Sequence, residues 1–168
     1  MDPAKLATAM HADKYVVAER ELTTRIAREH QTEMPITVLD SPSSVRLFME
    51  DVLEQSPVEA LYAVALNSAN EFLGLMKLSQ GTVDRAAVYP RSLLSFLLLE
   101  TNATGIILCH NHPGGTAKAS NEDIALTRRI ETLLKDLEVR LLDHLILAPG
   151  TLGRESQWVS LRETGVIG

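Results

Sequence analysis

Gly105-Ile106-Ile107-Leu108-Cys109 is an apolar run that ends in His110-Asn111-His112. A strand with one face in water alternates apolar and polar residues, whereas an unbroken apolar run suits a strand covered on both faces. Thr104–His112 is therefore expected to be a central strand of a sheet with helices on either side. That layering belongs to α/β folds, and the rest of the chain has to supply neighbouring strands and covering helices.

It does so in alternation. Ile36–Leu39 reads as a short strand. Asp40-Ser41-Pro42-Ser43 supplies a cap and a first-turn proline for a helix carrying Val45, Phe48, Met49, Val52 and Leu53, which Pro57 ends. Glu59–Leu66 and Glu71–Leu78 read as two strands of a hairpin, joined by the turn-forming cluster Asn67-Ser68-Ala69-Asn70. Pro90–Glu100 has a dense leucine face and reads as a buried helix. A loop of small residues, Pro113–Ala119, follows the central strand. Ser120 opens a helix to about Leu137, Val139–Ala148 is another strand, and the tail has one short element around Trp158–Leu161. The expected fold is a mixed β-sheet flanked by helices.

Residues 4–34 contain neither Gly nor Pro, which predicts a helix between Pro3 and Pro35. Its apolar stripe (Leu6, Met10, Val17, Leu22, Ile26) is partial, so it reads as an appendage that packs at a domain edge or joins a second copy as a homodimer. Residues 1–34 form this helical extension and 35–168 the domain proper.

Composition narrows the function classes. Acidic residues outnumber basic ones 22 to 16, a net charge of −6, so bulk non-specific binding to DNA is disfavoured by backbone repulsion. Cys109 is the sole cysteine, so neither an intrachain disulfide nor a four-cysteine zinc cage can form. No apolar run approaches the ~20 residues of a membrane span, and the N-terminus lacks the pattern of a secretory signal. A cytoplasmic protein is expected.

His110 and His112 lie two apart at a strand end, so both side chains face one way while Cys109 and Asn111 face the other. Two imidazoles on one face begin a divalent-metal site, and a catalytic zinc commonly takes three protein ligands and leaves a fourth position for water. Asp123 is the leading third ligand. It sits in the first turn of the next helix, on the face shared with Thr127, Ile130 and Leu134, where a carboxylate needs a partner. Ser120-x-x-Asp123 also reads as a capping box, worth ~1 kcal/mol to the helix start. The two readings are compatible, and His-x-His alone also fits two partly exposed histidines.

His110-Asn111-His112-Pro113, the loop to Ala119, and Ser120-x-x-Asp123 together reproduce the signature of the JAMM (JAB1/MPN) metalloproteases. Tyr89-Pro90-Arg91, Asn102-Ala103, Glu122-Asp123-Ile124-Ala125-Leu126-Thr127 and Leu142-Asp143-His144-Leu145-Ile146 resemble the bacterial RadC branch of that family. The resemblance covers roughly residues 41–167. It implies JAB1/MPN-like, cytidine-deaminase-like layering, a Zn²⁺ ion on His110, His112 and Asp123, and a glutamate general base early in the domain. Glu59 fits that position best, with Glu71 the fallback. Zinc lowers the pKa of bound water to about 7. Glu59 would take that proton and pass it to the leaving amine, and Ser120 would hydrogen-bond the water or the oxyanion. The implied substrate is a peptide or protein amide or isopeptide bond. Asp143 and His144 would support the site from behind.

The sequence departs from the RadC pattern in Pro113-Gly114-Gly115-Thr116-Ala117-Lys118-Ala119, which lacks the usual second proline, and Gly114-Gly115 reads as slack beside the site. The helix-hairpin-helix module of longer RadC proteins is expected to be missing, as in the short members, which weakens the alternative of a DNA-repair-associated module, and the intact Glu-His-His-Ser-Asp set counts against a scaffold without turnover. Arg128 and Arg129 read as a solvated helix face, and His11 and His30 carry no assignment. A zinc nucleobase deaminase would need Pro-Cys-x-x-Cys, excluded by the single cysteine, and the His-Glu-x-x-His of helical zinc proteases is absent.

Overall fold

The apolar run becomes strand β3 (Gly105–Asn111), buried at all seven positions. The structure, a computed structural model, describes residues 37–54, 56–81, 90–150 and 155–168. The expected helix over 4–34, with His11, His30 and the homodimer face, lies outside the described residues. Before β3 come helix α1 (Pro42–Glu54), strands β1 (Ala60–Leu66) and β2 (Phe72–Gln80), and helix α2 (Pro90–Ser95), which continues as a π-type turn over Phe96–Glu100. After it come α3 (Asn121–Lys135), β4 (Arg140–Ala148) and β5 (Gln157–Ser160). No helix among the described residues is long and apolar enough to cross a membrane.

The five strands form one mixed sheet in the order β2-β1-β3-β4-β5. β3 pairs antiparallel with β1 and parallel with β4, the latter through the α3 crossover. Alternation then sorts side chains to two cores. Ile106 and Leu108 face α2 and α3 together with Leu61, Ala63, Leu93, Leu97, Ile130 and Leu134. Ile107 and Cys109 face α1 together with Val45, Met49, Leu53, Tyr62 and Val64. His110 follows Leu108 by two and falls on the α3 side.

Local chemistry sets the element ends. Ser41 Oγ accepts the Ser44 N–H at 3.2 Å, with Pro42 in the first turn of α1. Asn67 Oδ1 accepts the N–H groups of Ala69 and Glu71, and Asn70 takes a left-handed φ of 59°, closing the β1–β2 hairpin. Gly74 on β2 allows the π turn to approach, since a Cβ there would lie 3.0 Å from Thr101 Cγ2.

Two expectations need correction. Of the strand expected over Ile36–Leu39, the described residues show a single bridge between Val38 and Glu71, because the α1 cap begins at Ser41, two residues after Leu39. The leucine-rich helix is only partly buried: Leu93, Phe96 and Leu97 are inside, while Leu98 is exposed and Leu99 is 83% exposed. Helical periodicity allows one inward stripe, and Leu98 and Leu99 fall on the opposite arc.

Candidate metal centre

The antiparallel register between β1 and β3 pairs Leu61 with His110. Moving one residue outward sets Ala60 against Asn111, and the next step sets Glu59 against His112. The start of β1 therefore meets the end of β3, where α3 also begins. Glu71 sits at the other end of β1, tied into the hairpin turn by Asn67 Nδ2 at 2.6 Å. Glu59, His110, His112 and Asp123 each offer one ligand atom, and the four atoms lie within 4.8 Å of one another. These four residues could hold a metal ion.

Each of the other three has its own support. Asp123 is buried on the inner face of α3 with Thr127, Ile130 and Leu134. Its Oδ2 accepts the Ser120 N–H and the Ser120 hydroxyl, both at 2.7 Å, while Ser120 Oγ accepts the Asp123 N–H at 3.0 Å. The capping box and the carboxylate's orientation are thus one structure, and the single hydroxyl proton of Ser120 is directed to Asp123 rather than to an oxyanion. Asp123 Oδ1 lies 3.4 Å from His110 Nε2, and Oδ2 lies 3.5 Å from His112 Nε2.

His112 stands just past the strand. The Gly115 N–H bonds the His112 carbonyl at 3.0 Å, and Gly115 has a φ of 84° that favours glycine. This turn returns the Thr116 carbonyl to His112 Nδ1 at 2.9 Å. A carbonyl only accepts, so His112 carries a hydrogen on Nδ1, and its Nε2 faces the site. Gly115 is therefore not slack, because it aims a carbonyl. His110 Nε2 lies 2.7 Å from His112 Nε2, and His110 Nδ1 lies 2.8 Å from His144 Nε2.

His144 thus backs His110 directly. Asp143 points elsewhere: its carboxylate accepts the Ser160 hydroxyl at 2.6 Å and the N–H groups of His144 and Arg162. It fastens the C-terminal turn to β4. Arg128 and Arg129 lie exposed on α3.

Burial pushes His110 down to about 4 against the opposing pull of Asp123, and burial pushes His144 down to about 3, aided by the neighbouring His110. The Asp123 carboxylate raises His112 above its ordinary value despite partial burial. Burial favours neutral Asp123, but its bonds with His112 and Ser120 prevail and hold it well below the usual carboxylate range. Glu59 is raised by partial burial, with His112 working against the shift.

These directions predict the acid response of the ion-free protein. His110 and His144 are neutral when folded but take up protons near pH 6.5 when unfolded. Their contribution is complete above pH 6.5 and is lost as pH falls toward 3. The raised His112 contributes fully below pH 6.5, so it leaves that window unchanged, and Asp123 adds further loss at the acid end. Urea midpoints should therefore drop between pH 7 and pH 4.5, and a flat midpoint would contradict the buried neutral pair.

Asn111 is a residue the sequence reading passed over. Fully buried and facing away from the histidines, it accepts the Ala60 N–H at 2.9 Å and donates to the Ser56 and Val58 carbonyls at 3.1 and 3.2 Å. Its amide brackets Glu59 from both sides of the chain. The available signal was a polar residue on the apolar face of the central strand. Asn111→Ala removes three hydrogen bonds and leaves a buried N–H unpaired, so unfolding experiments should show a loss of about 2–4 kcal/mol.

A family of domains described as RadC-like JAB matches residues 39–166. The chain belongs to the RadC-like JAB family. It is similar to a UPF0758 protein of Pseudomonas fluorescens strain SBW25, 38% identical over 135 residues, which cover 79% of this chain and 60% of the relative. A UPF0758 protein of Alcanivorax borkumensis is 39% identical over 129 residues, 77% of this chain and 54% of the relative. One from Marinobacter nauticus is 35% identical over 162 residues, 96% of this chain and 67% of the relative. The RadC-like chain thus spans roughly three fifths of the length of the curated relatives it matches.

Proposed function

We infer that this RadC-like chain is a zinc-dependent hydrolase that cleaves peptide or isopeptide bonds in the manner of JAMM enzymes. The observation that carries this reading is the convergence of one imidazole nitrogen from each of His110 and His112, one Asp123 oxygen and one Glu59 oxygen within 4.8 Å. Two neutral nitrogens, one carboxylate and a nearby second carboxylate suit a divalent ion of zinc's type, with His110, His112 and Asp123 as its holders.

Such an ion, when bound, supplies Lewis acidity that polarises a carbonyl and brings the pKa of a water toward neutrality. The remaining work falls to the chain's own groups. Glu59, made more basic by partial burial, accepts a proton from the attacking water and returns it to the departing amine nitrogen. Ser120 keeps the Asp123 carboxylate turned toward the histidines. The Thr116 carbonyl and His144 hold the two imidazole rings, so the site is oriented before substrate arrives. Beside it, a cavity of about 710 Å³ begins at Thr116 and Ile124 and runs past Trp158, Val159 and Leu161. That size and lining suit an apolar stretch of a peptide.

The test is the full 168-residue chain, loaded with Zn²⁺ and incubated with a random peptide library and an isopeptide-linked library. Mass spectrometry should find cleaved products that vanish with chelator and return with Zn²⁺. A zinc-loaded chain that leaves both libraries intact would overturn the hydrolase reading.

A further inference from the structure

Behind the candidate ligands runs a buried chain of three side chains on three elements: His110 on β3, His144 on β4 and Thr127 on α3. The Thr127 hydroxyl lies 2.6 Å from the Asp123 carbonyl oxygen and 2.7 Å from His144 Nδ1, and His144 Nε2 lies 2.8 Å from His110 Nδ1. Thr127 and His144 are both fully buried, so water cannot supply a missing donor or acceptor.

The proton order follows from counting hydrogens. The Asp123 carbonyl can only accept, so the single hydroxyl proton of Thr127 is committed to it. Thr127 Oγ is then an acceptor toward His144, and His144 Nδ1 must carry the hydrogen. His144 sits in a dry pocket as a neutral ring with one N–H, so its Nε2 is a lone pair. His110 Nδ1 must then be the donor across the 2.8 Å contact, which leaves the lone pair of His110 on Nε2, facing Asp123 and accepting across 2.7 Å the hydrogen that His112 carries on its own Nε2 in the ion-free chain.

We propose that Thr127, acting through His144, is a positioning residue that sets the tautomer of His110 and so keeps its Nε2 open for a metal ion. The same hydroxyl bonds the main chain of Asp123, so one side chain aligns two of the three candidate ligands. Without it, the buried His144 Nδ1–H has no acceptor. The ring then gains by moving its hydrogen to Nε2, and His110 responds by carrying its own hydrogen on Nε2, where an ion would sit. The proton order rests on these contacts and on the burial of His144. Its consequence for metal binding rests on the metal-site reading above.

Two measurements separate these parts. In the ion-free full chain, nitrogen-15 chemical shifts of the histidine rings should show His144 protonated at Nδ1 and bare at Nε2, and His110 likewise. His144 protonated at Nε2 in the parent chain would overturn the proposal whether or not zinc binds. Zn²⁺ affinity, read by competition with a chromogenic chelator, should fall 10–100-fold in Thr127→Val. It should stay within about threefold of the parent in Thr127→Ser, which keeps the hydroxyl. The His144 shifts should invert in the valine variant and not in the serine variant. Thr127→Val with parental affinity and unchanged shifts would sink the proposal. A parent chain that binds no zinc yet shows the stated tautomers would instead count against the hydrolase reading and leave the proton order standing.

Discussion

Glu59→Gln is expected to bind zinc with little change and to cleave peptides 10²–10⁴-fold more slowly than the parent chain, the range for loss of a general base. The substitution is nearly isosteric and leaves His110, His112 and Asp123 untouched. Burial and the Asp123 charge both raise the Glu59 carboxyl, which matches its proton affinity better to a near-neutral task than that of an ordinary exposed glutamate. A glutamine side chain can fill the same space but cannot take the proton. Zinc content by elemental analysis and initial cleavage rates, measured on one preparation, separate binding from turnover. A variant that turns over as fast as the parent would remove Glu59 from the mechanism.

Asp123→Asn is expected to abolish zinc binding at concentrations that saturate the parent. An amide oxygen is a poorer ligand than a carboxylate, and the charge that draws a cation between two neutral imidazoles disappears. The choice of Asn matters because Asp123 Oδ2 also closes the α3 cap with Ser120. An amide oxygen still accepts one of those bonds, so helix and fold survive. The clearest readout is ligand-linked stability. At free zinc one hundred times its Kd, the parent should gain about 2.7 kcal/mol, while Asp123→Asn should gain nothing and unfold near the ion-free parent. Equal stabilisation of both would displace Asp123 from the ligand set.

The histidines, the aspartate and the central strand were legible because each obeys a local rule. Alternation placed His110 and His112 on one face, and helical spacing put Asp123 on the inner side of α3. The loop was misjudged, since Gly114-Gly115 gives no hint that Gly115 turns the Thr116 carbonyl onto His112. Asn111 was dismissed for pointing away from the site, although that direction is what lets it grip the backbone around Glu59. Asp143 and His144 are adjacent and looked like a pair. Strand alternation sends one to the C-terminal turn and the other to His110. Contacts between segments far apart in sequence, such as Thr127 with His144, leave no mark on either segment alone.

Cys109 lies in the middle of the central strand, fully buried, with burial and the nearby Asp143 holding its thiol far above the ordinary range. A thiol in that condition does not attack alkylating reagents. It is the chain's sole cysteine and packs under α1 against Val45, Met49 and Leu53, so modification requires α1 to lift from the sheet. The molecule therefore carries its own reporter: the rate of labelling by a thiol reagent counts openings between α1 and the sheet, and comparing that rate with and without zinc reads how firmly an ion at one end of β3 closes this layer of the fold.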